Sequence, residues 1–113
     1  MSNSIQWRTN WQEAGHEAKK ANLPLALEFF MEGCPACGRL LRETHQDPAV
    51  IKTLNERFIP VRLEGRSHMD LVQKMEVRGA PTTLLFAPEG QEKHRFVGFM
   101  APEEYLKELE KAA

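Results

Sequence analysis

Apolar and polar positions along the chain follow two alternating rhythms, one helical and one extended. Asn10-Trp11-Gln12-Glu13 has the form of a capping box, in which Asn10 accepts from the first-turn amides and Glu13 reaches back to the cap. Trp11, Ala14, Ala18 and Ala21 then recur at helical spacing and Pro24 forbids continuation, so a helix is predicted over residues 11–22. Residues 23–30 are almost continuously apolar, the mark of a strand covered on both faces. A second helix is expected over 34–44, with Pro35 at its first position and Leu40 and Leu41 facing the core. Asp47-Pro48 starts a third, whose apolar face is Val50, Ile51, Leu54 and Phe58. Residues 58–63 read as a strand, and Pro60 puts it near a sheet edge or at the strand's entry.

Farther on, Ser67 and Asp70 are expected to cap a short helix containing Leu71, Val72 and Met75. Gly79-Ala80-Pro81 breaks the chain before a strand over 82–86, and Pro88-Glu89-Gly90 turns it into a second hairpin arm over 94–98. Pro102 opens a last helix with Tyr105, Leu106 and Leu109 on its buried side. Strands separated by helices imply parallel pairing through right-handed crossovers, whereas the final pair must be antiparallel. The expected architecture is an α/β three-layer sandwich with a mixed sheet of about four strands. A fifth would be an edge strand at Ile5-Gln6-Trp7. No repeat or linker interrupts the pattern, so residues 1–113 are expected to form one domain, with an N-terminal helical extension over about 8–22.

Bulk properties narrow the partners. A chain of 113 residues buries roughly two thirds of its unfolded surface and needs no staple. Its net charge of −1, with no basic stripe, argues against nucleic acid and anionic membranes as partners. No apolar segment approaches the ~18–20 residues of a membrane span. The N-terminus has neither a basic nor an apolar leader region. The expected compartment is therefore the cytoplasm for the sequence as it stands, or the periplasm if a leader has been removed, and the expected state is a monomer.

The chemistry lies in the only two cysteines, Cys34 and Cys37. Three residues apart, they would close too small a loop for a structural disulfide to help. At a helix start, however, unpaired amides and the positive end of the dipole favour a thiolate at Cys34, so Cys34 is the expected nucleophile. Cys37, on the same helix face but deeper, is the expected resolving thiol. Glu28 is the only charge in the apolar strand run; a buried carboxylate can exchange a proton near neutral pH and so accept one from Cys37. The plainer reading of Glu28 is a pair with Arg62 on the neighbouring strand, and both can hold. Ala80-Pro81 before a strand is a plausible cis peptide that leaves a backbone edge free, and Gly33 exposes the approach to Cys34. Zinc would need two further ligands, and His16, His45, His68 and His94 are scattered and are read as surface residues, of which His45 and His68 could approach the active-site edge. A dimer-bridging iron–sulfur cluster is chemically open but less favoured. Met31, Met69, Met75 and Met100 are read as gap fillers or rim residues.

These motifs resemble the thioredoxin superfamily from Asn22 onward. Leu27-Glu28-Phe29-Phe30 leads into Cys34-Pro35-Ala36-Cys37 as that family's central strand leads into its active site. Residues 77–86 are similar to its cis-proline segment, and Phe96-Val97-Gly98 to its last strand. The resemblance implies a thioredoxin fold, Pro81 as the cis-proline, and substrate peptides pairing with the backbone around Ala80. Glu28 falls where thioredoxins carry a buried acid and Arg62 where they carry a basic partner. Gly33 replaces a tryptophan, Pro35-Ala36 replaces Gly-Pro, and Arg42 replaces the kinking proline. The stretch from Thr44 to Val50 and the opening helix look more like the branch related to the reductase domains of thiol-disulfide interchange proteins.

The implied activity is a thiol–disulfide oxidoreductase working in the reductase direction. Cys34, Cys37, Glu28 and Pro81 are its expected catalytic residues, and Gly33, Pro35, Ala36 and Ala80 are expected to meet substrate. Its expected partners are protein disulfide substrates and an upstream electron donor. No cofactor is expected beyond the Cys34–Cys37 disulfide, and no metal. Pro35-Ala36 supplies no charge or hydrogen-bonding side chain to hold the thiolate, so an intermediate reduction potential is expected. The alternative is a non-catalytic binding module that presents the same cis-proline edge.

Overall fold

The apolar run becomes a central strand, and the rest of the chain is laid against its two sides and two faces. The computed structural model describes residues 3–113. In chain order the elements are α1 (Trp11–Ala21), β1 (Leu25–Phe30), α2 (Pro35–Arg39, continued by a π-helical turn at Leu40–Thr44), α3 (Pro48–Arg57) and β2 (Ile59–Glu64). There follow a 3-10 turn (Gly65–His68), α4 (Met69–Lys74), β3 (Thr82–Phe86), β4 (Glu92–Val97) and α5 (Pro102–Leu109). The sheet order is β2-β1-β3-β4. β1 is therefore internal and β2, with its Pro60, is an edge, as the proline requires.

β1 pairs parallel with β2 and antiparallel with β3, and β3 pairs antiparallel with β4. Parallel pairing was expected throughout the helix-separated strands, and β3 departs from it for a reason of length. The six residues of α4 rise only about 9 Å, less than the length of a strand. The chain therefore re-enters the sheet at the end where β1 stops, with Thr82 opposite Phe29.

The two faces of the sheet have separate cores. On one, Leu25, Leu27 and Phe29 of β1 pack with Ile59, Val61, Leu63, Leu84 and Phe86 beneath α1 and α4. On the other, Ala26, Leu85 and Phe96 pack beneath the π turn, α3 and α5, with Leu40, Leu54, Tyr105 and Leu109 all buried.

Local signals mostly act as expected. Asn10 accepts from Glu13 N at 2.9 Å, and Asp47 accepts from Ala49 N and Val50 N at 3.1 Å each. Several expectations are corrected. Ile5-Gln6-Trp7 is not an edge strand; Ile5 is buried in one of the cores, and the residue after the segment, Arg8, forms an isolated parallel bridge to Val61. The 3-10 turn ahead of α4 is capped by Glu64, which accepts from Ser67 N at 3.1 Å, and not by the Ser67 or Asp70 side chain. The second hairpin arm begins at Glu92, two residues before His94. Ala21 is exposed, so the α1 contact rests on Ala14 and Ala18. Leu41 is also exposed, at 37%, because the π turn interrupts the α-helical register that had placed it inward. Among the described residues no helix is long and apolar enough to cross a membrane.

Candidate active site

β1 ends at Phe30, and Gly33 turns the chain with φ +78°, a conformation that favours glycine. Cys34 then takes the N-cap position of α2 with extended backbone, and Pro35 occupies the first turn. Cys34 Sγ accepts from the Cys37 amide at 3.2 Å and lies 3.6 Å from the Ala80 carbonyl, so its thiol can donate there. The Ala80–Pro81 peptide is cis. Pro81 is buried, its carbonyl accepting from Gly98 N at 2.7 Å, while Ala80 is partly exposed. Gly33 and Pro35 are exposed, and Cys34 and Ala36 partly so.

The two thiols differ sharply. Cys34 is partly open to solvent, whereas Cys37 is 2% exposed, and both are free. Burial, aided by the Cys34 sulfur and the Glu28 charge, pushes the Cys37 thiol up to about 11. At neutral pH it therefore needs a base before it can react.

Glu28 supplies a buried carboxylate at the centre of the sheet, with no exposed surface. The strand register places it between Arg62 of β2 and Thr83 of β3. Its Oε2 accepts from Arg62 Nε at 3.0 Å, and the Arg62 guanidinium stacks over the Phe30 ring at 3.7 Å. Its Oε1 lies 2.9 Å from His45 Nε2. Tyr105 of α5 closes the cluster; burial and the Glu28 charge hold its phenol well above the usual range.

His45 was read as a surface residue and is in fact 2% exposed. The π turn carries it inward, marked by the bond from His45 N to Leu40 O at 2.9 Å. Helical periodicity hid it, since it stands one residue past the expected end of the helix. The only sequence signal was its place in the Thr44–Val50 motif. Its neighbour Thr44 is buried and donates to the Met100 carbonyl, which ties Met100 to this side of the core.

A hollow of about 270 Å³ opens beside Ala80, lined by Met31, Gly65, Met69, Val72, Gly79 and others. A larger one, of about 540 Å³, lies at the opposite end of β1 beside Pro24 and Pro88, away from the cysteines. Among the described residues no group of three or more His, Cys, Asp and Glu side chains could hold a metal ion.

Three comparisons place this geometry among known proteins. Residues 11–113 match the model of the thioredoxin-like domain. The chain is 31% identical over 97 residues to the thiol:disulfide interchange protein DsbD of Photorhabdus laumondii, covering 80% of this chain but 17% of that protein. It is 27% identical over 110 residues to the thioredoxin-related protein DsbJ of Chlamydia pneumoniae, covering 87% of this chain and 32% of that one. The chain thus spans about a sixth of the DsbD relatives. A thioredoxin from Thermus thermophilus superposes with a TM-score of 0.85 at 26% identity, covering 96% of this chain and 86% of that one. The DsbH oxidoreductase superposes with a TM-score of 0.82 at 18% identity, covering 96% and 84%, which is a likeness of fold. With nearly all of its length matched, and its paired cysteines at the head of α2, the chain belongs to the thioredoxin-like domain family.

Proposed function

We propose that the protein is a thiol–disulfide oxidoreductase that reduces disulfides in protein substrates, with Cys34 as nucleophile and Cys37 as resolving thiol. The observation that carries this reading is the asymmetry of the pair. Cys34 is partly exposed at a helix N-cap, 3.2 Å from the Cys37 amide and 3.6 Å from the Ala80 carbonyl, while Cys37 is buried behind it. Cys34 as thiolate attacks a substrate disulfide, forms a mixed disulfide and expels the first substrate thiolate. Cys37 then gives its proton to the Glu28 carboxylate and attacks Cys34 Sγ. The Cys34–substrate bond breaks, the Cys34–Cys37 bond forms, and the electron pair leaves on the second substrate thiolate. An upstream dithiol donor restores the pair.

Substrate would lie along the exposed Gly33 and Pro35 and the partly exposed Ala36 and Ala80, pairing its backbone beside Ala80, with an apolar side chain in the 270 Å³ hollow. The resemblance to disulfide interchange proteins supports protein substrates and a redox partner for this chain too.

Insulin reduction driven by a small dithiol tests the reading. Wild type should turn over, Cys34→Ser should be inactive, and Cys37→Ser should accumulate a long-lived mixed disulfide on Cys34. Turnover that survives Cys34→Ser would overturn it. So would the absence of any Cys34-dependent turnover with varied donors, which would leave a binding module.

A further inference from the structure

His45 is a buried titratable group with no part in the steps above, and its setting is unusual in three respects. It is delivered by a π turn, a rare element that concentrates at functional sites. Its ring stands edge-on to Trp7 at 5.0 Å and to Tyr105 at 5.9 Å, which fixes its plane. Its Nε2 lies 2.9 Å from Glu28 Oε1, although neither of these atoms, nor Nδ1, makes a hydrogen bond.

At that separation an imidazole N–H can donate to a carboxylate oxygen once the ring is turned into line. Arg62 already occupies Oε2. The other groups facing the cluster offer Oε1 little: the Thr83 hydroxyl, the Tyr105 phenol, which has no well-formed hydrogen bond, and the Cys37 thiol, whose proton is the one in question. Without the imidazole, Oε1 would lose the ring nitrogen that lies 2.9 Å from it.

We propose that His45 is a positioning residue for disulfide resolution: with Arg62 it flanks both oxygens of the Glu28 carboxylate and orients it towards the proton of Cys37. The proposal rests on the oxidoreductase reading and adds a residue that acts through Glu28 without touching substrate. It assigns the two cysteines different dependence on the cluster. Attack by Cys34 needs nothing from His45, whereas resolution by Cys37 does.

Mixing reduced protein with the aromatic disulfide dithiobis(nitrobenzoate) separates the steps. One chromophoric thiolate is released as Cys34 attacks and a second as Cys37 resolves. In His45→Phe the first phase should keep its rate and the second should slow about tenfold or more, the scale of one charge-assisted hydrogen bond. His45→Gln, which can still donate to Oε1, should recover most of the rate, and His45→Asn, which is too short, should not. In a Glu28→Gln background His45→Phe should add less than about twofold, because both act through one group. Should His45→Phe not fold, the Gln and Asn variants provide the same contrast. An unchanged second phase in folded His45→Phe or His45→Asn would overturn the proposal, as would full slowing in the Glu28→Gln background; either leaves the oxidoreductase reading intact. Absence of a Cys34-dependent first phase in wild type would overturn both.

Discussion

The two faces of β1 are built on opposite principles. Leu25, Leu27 and Phe29 look into a wholly apolar layer under α1 and α4. One residue out of phase, the other face carries Glu28 flanked by Arg62 and Thr83, with His45 and Tyr105 above them. Burial is equally complete, for Leu27 and Glu28 both have no exposed surface. The difference is chemical. The apolar face can only stabilise, while the polar face places a carboxylate, an imidazole and a guanidinium behind Cys37 at a cost in desolvation. The face that carries Glu28 therefore combines an apolar core with a buried charged cluster.

The hardest test of that division falls on the apolar side. Leu27→Ala should cost about 4 kcal/mol of stability, within the range for emptying a fully buried leucine site. It should leave the Cys34 attack rate per folded molecule unchanged. Urea denaturation and alkylation kinetics measure the two separately. A slowed attack in the folded variant would show that the faces are not independent.

On the polar side, Glu28→Gln keeps the shape and removes the base. The resolution step should slow about a hundredfold, the lower end of what general-base assistance supplies. The attack step should be unaffected. Stopped-flow release of thiolate reads both phases, and equal slowing of the two would break the contrast between them.

Much of this arrangement was legible beforehand. The apolar run, the Asp47-Pro48 start and the cysteines at a helix cap all rest on local chemistry, which a single sequence states directly. Glu28 stood out because it was a lone charge, and Arg62 because strand register brings it opposite. The misreadings share one origin. Leu41 lies outward and His45 inward at the π turn, which no 3.6-residue periodicity announces. The antiparallel β3 depends on how far a short α4 carries the chain, and the Glu64 cap on tertiary placement of a strand-end side chain. These are consequences of packing, so they become visible only once the elements meet.

A smaller effect follows from Cys37. Its thiol is raised from the ordinary value of 9.0 to about 11, chiefly by burial, so the folded state holds that proton more tightly than the unfolded chain. The stabilisation is fully present below pH 9.0 and is lost as pH rises towards about 11. The reduced protein should therefore lose about 2 kcal/mol across that window relative to Cys37→Ala, whose stability lacks the contribution. Paired urea titrations on either side of the window measure it. Parallel pH profiles for the two proteins would mean that the polar face does not hold Cys37 as a thiol.

The least effect is expected where the faces meet the site, at Gly33. Its φ of +78° is one that other residues rarely adopt, yet a Cβ built there meets nothing within 4 Å. Gly33→Ala should thus carry a backbone penalty alone, about 1 kcal/mol in urea denaturation. With open space around the added methyl, attack of Cys34 on a small aromatic disulfide should keep its rate. Protein substrates approach more closely, and a rise in KM for insulin at constant small-disulfide rate would locate them over Gly33. A drop in both rates would instead mean that the turn, and not only its exposure, sets the reactivity of Cys34.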